Sequence, residues 1–157
     1  MVKEKIIGIL SDSHGPLDPW ALKALKAEKV DHIIHAGDIV SASVIDDLKQ
    51  IAPLTVVRGN MDFPGLPRGI ANTEICQVSD FVFYVLHDLQ SLDLDPEAAQ
   101  INVVIHGHTH KAQIEWIDNI LYFNPGSVNQ PRFAAPASMG FIYIKDKKLI
   151  PRIIFND

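Results

Sequence analysis

The fold is decided by a stretch near the N-terminus that reads Ile6-Ile7-Gly8-Ile9-Leu10-Ser11-Asp12-Ser13-His14. Five apolar residues in succession are typical of a strand that is buried on both faces of a sheet. Polar residues follow where this strand ends. Because a buried strand keeps its interior apolar, the residues just beyond its end can aim polar groups at a shared site.

The residues that follow repeat this pattern twice, with a helix before each new strand. We predict helices over Trp20–Glu28 and from Ser41 or Ser43 to about Gln50, and strands over His32–Ala36 and Leu54–Val57. The alternation of strand and helix predicts a parallel sheet with right-handed crossovers.

Strands dominate the second half of the chain. Thr73–Val78 and Phe81–Leu86 are expected to form a hairpin, and Asp95-Pro96-Glu97 is expected to start a helix of one or two turns. Further strands are predicted at 101–105, 112–117, 120–123, 139–144 and 149–155. We therefore predict one α/β domain over residues 1–157, with a parallel half and a more antiparallel half.

Composition restricts the classes of function. The chain has 157 residues, 47% of them hydrophobic, which suffices for one domain with a real core. Its net charge of -5 argues against a basic groove for duplex nucleic acid. The only cysteine, Cys76, excludes an intrachain disulfide and a cysteine-based zinc site. No apolar run approaches the roughly 20 residues of a membrane-spanning helix, and no secretory pattern is present, so we expect a cytoplasmic protein with no membrane partner.

Seven candidate metal ligands follow the predicted strands, namely Asp12, His14, Asp38, Asn60, His87, His108 and His110. In extended chain, residues two apart point the same way, so Asp12 and His14 could bind one ion, as could the pair after Gly107. Carboxylate and imidazole ligands suit zinc, manganese or iron better than magnesium or calcium. Each residue also has an ordinary alternative, such as a turn, a helix cap or a surface histidine, but a single binuclear site explains all seven.

Other residues are candidates for a supporting role. Asp62 could orient a ligand histidine. The turn Asn124-Pro125-Gly126-Ser127 could face a phosphate with its amides and hydroxyl, and Arg132 could contact that phosphate or lie on the surface. His32 and His35, inside a predicted strand, are interpreted as structural, and His106 is expected to point away from the His108–His110 pair.

This ordered set, ending in Gly107-His108-Thr109-His110, resembles the calcineurin-like metallophosphoesterase superfamily, and with Asn124-Pro125-Gly126-Ser127 it is similar to the small YfcE-like branch. The resemblance implies a four-layer α/β/β/α sandwich of two mixed sheets. It assigns Asp12, His14, Asp38 and His110 to one metal and Asp38 (bridging), Asn60, His87 and His108 to the other. A metal-bridging hydroxide would attack phosphorus in line. Manganese is favoured as the metal, with zinc, iron and nickel open.

Two positions depart from the family pattern. Met61 stands where many larger members place a histidine that contacts substrate, so a strong general acid is missing and good leaving groups are favoured. Asp88 stands where the branch usually has glycine. No insertion is large enough for a cap domain, so the site is expected to be open, and a homodimer or homotetramer could contribute to substrate choice.

A phosphodiesterase with a small phosphodiester substrate is the favoured function, and a phosphomonoesterase is the alternative within enzymes. The main rival is a protein-binding scaffold of the same fold, similar to a retromer subunit, in which the metal site is degraded. Because every ligand position is kept in this chain, the enzyme is favoured. A metal-bound regulatory protein without turnover needs the same residues and also stays open.

Overall fold

The computed structural model describes residues 3–62, 66–67, 69–129 and 135–157. Its strands are β1 Lys5–Leu10, β2 His32–His35, β3 Leu54–Val56, β4 Thr73–Val78, β5 Phe81–Leu86, β6 Val103–Ile105, β7 Gln113–Ile117, β8 Ile120–Asn124, β9 Ala137–Lys145 and β10 Lys148–Asn156. The helices are α1 Pro19–Glu28, α2 Ala42–Lys49 and a 3₁₀ helix at Leu89–Ser91. Neither α-helix is long and apolar enough to cross a membrane.

Two five-stranded mixed sheets make up the fold. The first has the order β10-β9-β1-β2-β3, in which β1, β2 and β3 are parallel, as predicted. The second has the order β4-β5-β6-β8-β7, with β5, β6 and β8 parallel. The expected sandwich of two mixed sheets is confirmed.

Three apolar layers hold the sandwich together. The middle layer lies between the sheets and is built from residues such as Ile9, Ile34, Phe83 and Phe123. Helices α1 and α2 cover the outer face of the first sheet. The outer face of the second sheet is covered by the 3₁₀ helix and by Leu92 and Leu94, and not by a long helix. The outer layer on this side of the α/β/β/α sandwich is therefore thin.

The helix expected from Asp95 is a single turn. Asp95 does cap the segment, since its carboxylate accepts the Glu97 N–H at 3.1 Å, and its carbonyl accepts the Ala99 N–H at 3.0 Å. Gln100 then adopts φ 60°, and the Ile101 N–H returns to the Pro96 carbonyl at 2.9 Å. This hydrogen-bond pattern is the one that ends helices, and here it closes residues 96–100 as a turn before a helix can continue.

Candidate metal centre

The seven predicted ligands follow five strands, β1, β2, β3, β5 and β6. These strands are mutually parallel within each sheet, so their carboxyl ends lie at one edge. The edges of the two sheets meet, because His87, which follows β5, lies within 4 Å of Asp12 and Asp38, which follow β1 and β2. The fold therefore brings together residues that are far apart in sequence.

The first group contains Asp12, His14 and His110. Asp12 Oδ1 lies 3.3 Å from His110 Nε2 and 3.7 Å from His14 Nε2. The two imidazole Nε2 atoms are 3.2 Å apart. One carboxylate oxygen and two imidazole nitrogens thus converge on a small volume, and that donor set suits a transition-metal ion.

The second group contains Asp12, Asp38 and His87. His87 Nε2 lies 3.2 Å from Asp38 Oδ2 and 3.7 Å from Asp12 Oδ1. Asp38 Oδ2 is also 3.6 Å from His14 Nε2. Both carboxylates therefore lie between His14 and His87.

Asn60 and His108 lie on the solvent side of the second group. Asn60 Oδ1 is 3.2 Å from His108 Nδ1, and the rings of His87 and His108 meet edge to face at 5.2 Å. All seven predicted residues are therefore gathered at the same edge of the sandwich, and their role as metal ligands stays a prediction.

Three polar atoms of the candidate ligands are buried without a hydrogen-bond partner among the described residues, namely Asp12 Oδ1, His87 Nε2 and His110 Nδ1. The Nδ1 atom of His87 lies 2.8 Å from the Ala36 carbonyl, so it carries a proton, and in the neutral ring the Nε2 lone pair faces two carboxylates. Lone pairs from three side chains directed at one point repel one another unless a cation or a proton lies between them. The residues present fit a bound metal ion.

The charges of the centre shift its pKa values strongly. Burial raises the pKa of Asp12, but the contacts with His110 and His14 and the charge of His87 outweigh it, and the net pKa falls far below the usual range. Burial likewise raises the pKa of Asp38, and His87 reverses it to a net lowering. Burial lowers the pKa of His87, and Asp38 and Asp12 raise it above the ordinary value. Both carboxylates are thus ionised at neutral pH, as metal ligands require.

The backbone of the ligand loops corrects one sequence argument. Asp12, His14, Asp38, His108 and His110 all have φ between 51° and 71°. These residues are left-handed and not extended, so the premise was wrong for both pairs, although Asp12 and His14 do face the same group. His110 joins the first group, whereas His108 turns toward Asn60. Left-handed backbone at non-glycine residues is costly and is concentrated at functional sites.

Asp62 does not orient a ligand histidine. Its buried carboxylate accepts the N–H groups of Ile39, Val40 and Gly59, each at 2.8 Å. Those amides belong to the two loops that carry Asp38 and Asn60. A carboxylate in a tight turn lies closer to the backbone amides of the turn than to any imidazole, and Asp62 therefore binds amides.

Asn124 and Ser127 are buried and support the loops instead of facing a phosphate. The Asn124 amide donates to the Gly107 carbonyl at 3.1 Å and to the Thr109 hydroxyl at 3.0 Å. The Ser127 hydroxyl donates to the Asp12 carbonyl at 2.9 Å. Arg132 lies outside the described residues.

His35 is the supporting residue whose contribution sequence reasoning missed. It is fully buried, its Nδ1 accepts the Gly37 N–H at 3.1 Å, and its Nε2 lies 3.0 Å from the Ser13 hydroxyl. It therefore connects the loops that carry Asp12 and Asp38. This agrees with the expected structural role, but the link to the candidate ligands was not foreseen. The signal was its position two residues before Gly37. The His32 Nε2 atom lies 2.8 Å from the Thr55 hydroxyl, and His106 is buried. Neither histidine belongs to the two groups of candidate ligands.

A cleft of about 530 Å³ opens beside the second group. Asn60, His87 and His108 line its inner end. Its other lining residues are Arg58, Gly59, Asn72, Thr73, Tyr84, Leu86, Asp88, Ser91 and Asp93. The cleft is large enough for a small molecule and leads directly to the candidate ligands.

Comparison with known proteins supplies the family. A family model for the calcineurin-like phosphoesterase superfamily domain matches residues 6–147. The chain belongs to the calcineurin-like phosphoesterase superfamily. It is 36% identical to a probable metallophosphoesterase of Methanocaldococcus jannaschii, over 93% of this chain and 81% of that protein. It is also 31% identical to a phosphodiesterase of the same organism, over 76% of this chain and 82% of that protein.

Solved structures of a phosphodiesterase and of a vacuolar protein sorting protein share the fold. An archaeal phosphodiesterase superposes with a TM-score of 0.78 at 25% identity, covering 96% of this chain and 99% of the other. Vacuolar protein sorting 29 of Cryptosporidium parvum also gives 0.78, at 18% identity, covering 96% and 97%. The second similarity concerns the fold alone.

Proposed function

We propose that this calcineurin-like phosphoesterase is a binuclear metal-dependent phosphodiesterase. The observation that carries the proposal is the buried pair Asp12 and Asp38, placed between histidines whose Nε2 atoms face them at 3.2–3.7 Å. The first ion would be held by Asp12, His14, Asp38 and His110, and the second by Asp38, Asn60, His87 and His108. Two bound divalent ions lower the pKa of water and neutralise the charge on the attacking and leaving oxygens.

The protein's own part is to hold these ligands in the right protonation state and direction. The Met61 N–H donates to Asp38 Oδ1 at 2.8 Å, which leaves Oδ2 for the centre. The Ser11 hydroxyl and the His108 N–H donate to Asp12 Oδ2, which leaves Oδ1. The Ala36 carbonyl fixes the His87 tautomer. Backbone and hydroxyl donors thus prepare one lone pair of each ligand in advance.

The charge of the cleft favours a diester over a monoester. Asp88 and Asp93 line it, and among the described residues Arg58 is the only arginine or lysine of the lining. The Arg58 guanidinium already donates to the carbonyl of Asp62. A phosphodiester carries one negative charge, whereas a monoester carries up to two. The bound ions attract both esters, and the carboxylates of Asp88 and Asp93 oppose the second negative charge of the monoester.

The leaving group receives no proton from position 61. The Met61 side chain is exposed and cannot donate one, and its backbone amide is already bound to Asp38. We therefore propose substrates with good leaving groups, or protonation by water. Mixed nitrogen and oxygen ligands suit manganese first, with zinc, iron and nickel as alternatives.

A scaffold function is the second candidate, because a vacuolar protein sorting 29 shares the fold. A degraded ligand set is the feature expected of a scaffold, and this chain keeps all seven positions. The cytoplasmic location and a homodimer or homotetramer remain predictions.

The test is hydrolysis of a bis-nitrophenyl phosphodiester against the nitrophenyl monoester, with manganese, zinc, nickel and magnesium in turn. We expect faster diester turnover that requires a transition metal and is lost in Asp38→Asn and in His108→Ala, while circular dichroism shows the fold intact. A monoester preference would contradict the substrate class. Absence of turnover with two ions bound per chain would support the scaffold.

A further inference from the structure

His108 faces the centre differently from the other three histidines. The Nε2 atoms of His14, His87 and His110 all lie within 4 Å of Asp12 or Asp38. In His108, Nδ1 is the atom beside Asn60, at 3.2 Å, and Nε2 is directed to the other side of the ring. There it meets Asp88 Oδ2 at 3.8 Å.

The direction of the ring decides which nitrogen must carry the proton. A neutral imidazole has one N–H and one lone pair, and only the lone pair can bind a metal ion. Without an ion, Nδ1 donates to the Asn60 oxygen at 3.2 Å, because an amide oxygen can only accept. When Nδ1 binds an ion next to Asn60, the proton has to be on Nε2 instead. Among the described residues, Asp88 provides the only carboxylate oxygen within 4 Å of that Nε2.

Asp88 is itself held in place by the chain that follows it. Its Oδ1 accepts the Gln90 N–H at 3.0 Å and so caps the 3₁₀ helix Leu89–Ser91. One oxygen is thereby fixed, and the other, Oδ2, is left facing His108. A hydrogen bond needs about 2.8 Å, so the ring and the carboxylate have to approach by about 1 Å when Nδ1 binds an ion.

We propose that Asp88 is a positioning residue for the second metal ion: it accepts the Nε2–H of His108 and so holds the ring with Nδ1 unprotonated beside Asn60. The inference rests on the binuclear function proposed above. It gives a role to the residue that stands where the family branch usually has glycine. Carboxylate partners of metal-binding histidines typically change metal affinity or activity 10- to 100-fold when removed.

Three substitutions separate this role from helix capping. Asp88→Ser keeps a capping oxygen but is too short to reach His108. Asp88→Asn keeps the shape and the cap, but with its oxygen on Gln90 it presents an N–H group to Nε2 and favours the wrong tautomer. Asp88→Glu keeps a carboxylate that can reach the ring while weakening the cap. The matched control is Asp95→Asn, because Asp95 caps the Glu97 N–H in the same way and does not line the cleft.

The first measurement is the affinity of each of the two ions, by calorimetric titration of the metal-free protein with Mn²⁺. We expect the second-ion affinity to fall about 10-fold or more in Asp88→Ser and Asp88→Asn, to recover largely in Asp88→Glu, and to be unchanged in Asp95→Asn. The affinity of the first ion, which involves Asp12, His14 and His110, should stay the same.

The second measurement is the tautomer of His108, from the two ¹⁵N ring shifts at pH 8. With Zn²⁺ bound, Nε2–H is expected in the unsubstituted protein, whereas Asp88→Asn should keep a larger fraction of His108 off the ion as Nδ1–H, the form that the Asn60 oxygen favours. An unchanged tautomer, or an unchanged second-ion affinity in Asp88→Ser, overturns the role of Asp88. If the unsubstituted protein binds fewer than two ions, the binuclear function itself is wrong, which distinguishes the two failures.

Discussion

At the scale of single residues, the centre depends on side chains that bind no metal. Asp62 is the clearest case, since its buried carboxylate accepts three backbone N–H groups at 2.8 Å. One of these belongs to Val40, a β-branched residue with φ 67°. Such a residue is strained in left-handed backbone, so the hydrogen bonds of Asp62 offset a conformational cost in the loop that carries Asp38.

We expect Asp62→Asn to lower the free energy of unfolding by about 2 kcal/mol, because the amide can accept at only one atom and leaves a buried N–H unpaired. Urea unfolding of the metal-free protein measures this change. A control is Asp95→Asn, which also replaces a carboxylate that accepts a backbone N–H but at an exposed position. Equal losses in the two variants would contradict a special role for Asp62.

Met61 lies beside the candidate centre, and changing its side chain should alter the rate of hydrolysis and not the stability of the fold. Its backbone N–H holds Asp38 whatever the side chain is, and its side chain is 55% exposed. Met61→His should therefore keep metal binding and add a proton donor near the leaving group. General acids contribute about 10²–10⁴-fold where they are well placed, so we expect roughly 10-fold faster hydrolysis of a diester with a poor leaving group and little change for nitrophenolate.

The measurement for Met61→His is kcat/KM across a series of diesters with leaving groups of rising pKa. Met61→Gln is the control, because it is polar and of similar length but cannot act as an acid. The same gain in both variants, or a gain for nitrophenolate alone, would show that the imidazole is not protonating the leaving group.

The sequence predicted which residues of the candidate site lie close together. It did not predict their backbone conformation or the direction of their side chains. Apolar runs followed by Asp, Asn or His mark strand ends, and parallel strands end together. The left-handed conformation of Asp12 and His108 was not predictable, because it is set by hydrogen bonds between loops, such as the Asp12 N–H to the Gly37 carbonyl at 2.9 Å. The same holds for Asp62 and Asn124, whose partners lie in loops.

At the scale of elements, strands with a local partner were predicted best. The hairpin of Thr73–Val78 and Phe81–Leu86 agrees residue for residue, because alternating side chains and a two-residue turn define it locally. The pairing of β9 with β1 could not be predicted, since it joins segments more than 130 residues apart. β3 and β6 have three residues each, fewer than their apolar runs suggest, because the loops begin early.

The loop after β6 must approach the loop after β1 very closely. A Cβ added at Gly107 would collide with the Ser11 hydroxyl and lie 2.7 Å from Asp12 Oδ2. Since Gly107 is not in left-handed backbone, this contact is the reason for glycine. We expect Gly107→Ala to cost about 1–3 kcal/mol of stability and to weaken metal binding, because the added methyl displaces Asp12.

Thermal unfolding with and without Mn²⁺ measures both effects of Gly107→Ala. The double variant Ser11→Gly, Gly107→Ala is the control, since it removes the colliding hydroxyl and should recover part of the loss. Additive losses in the double variant would show that the two loops do not compete for this space.

At the scale of the whole molecule, the histidines make the free energy of unfolding of the metal-free protein depend on pH, with a maximum near neutral pH. Burial lowers the pKa of His35 to about 4, although Asp12 and other carboxylates oppose it, and burial lowers the pKa of His106 to about 4, opposed by Asp88. Their ordinary pKa is 6.5, so between pH 6.5 and 4 the unfolded chain binds more protons and stability falls as the pH falls. Each group contributes up to about 3 kcal/mol over that window.

His87 acts in the opposite direction, above pH 6.5. The net effect of Asp38 and Asp12 raises its pKa in the folded protein, so its stabilisation is complete below 6.5 and is lost as the pH rises through the raised value. The lowered pKa values of Asp12 and Asp38 add a loss of stability only at more acidic pH, below the ordinary carboxylate value of 3.8. The metal-free protein should therefore be most stable near pH 6.5.

Urea unfolding in a chelator between pH 4.5 and 8.5 measures this curve, with His35→Gln beside the unsubstituted chain. Glutamine can still accept the Gly37 N–H but does not titrate, so the variant should lose about half of the slope below pH 6.5 and keep the slope above it. An unchanged slope in His35→Gln would mean that the buried ring does not protonate on unfolding. Bound metal should flatten the upper limb, because an ion on His87 replaces the proton whose loss destabilises the folded state.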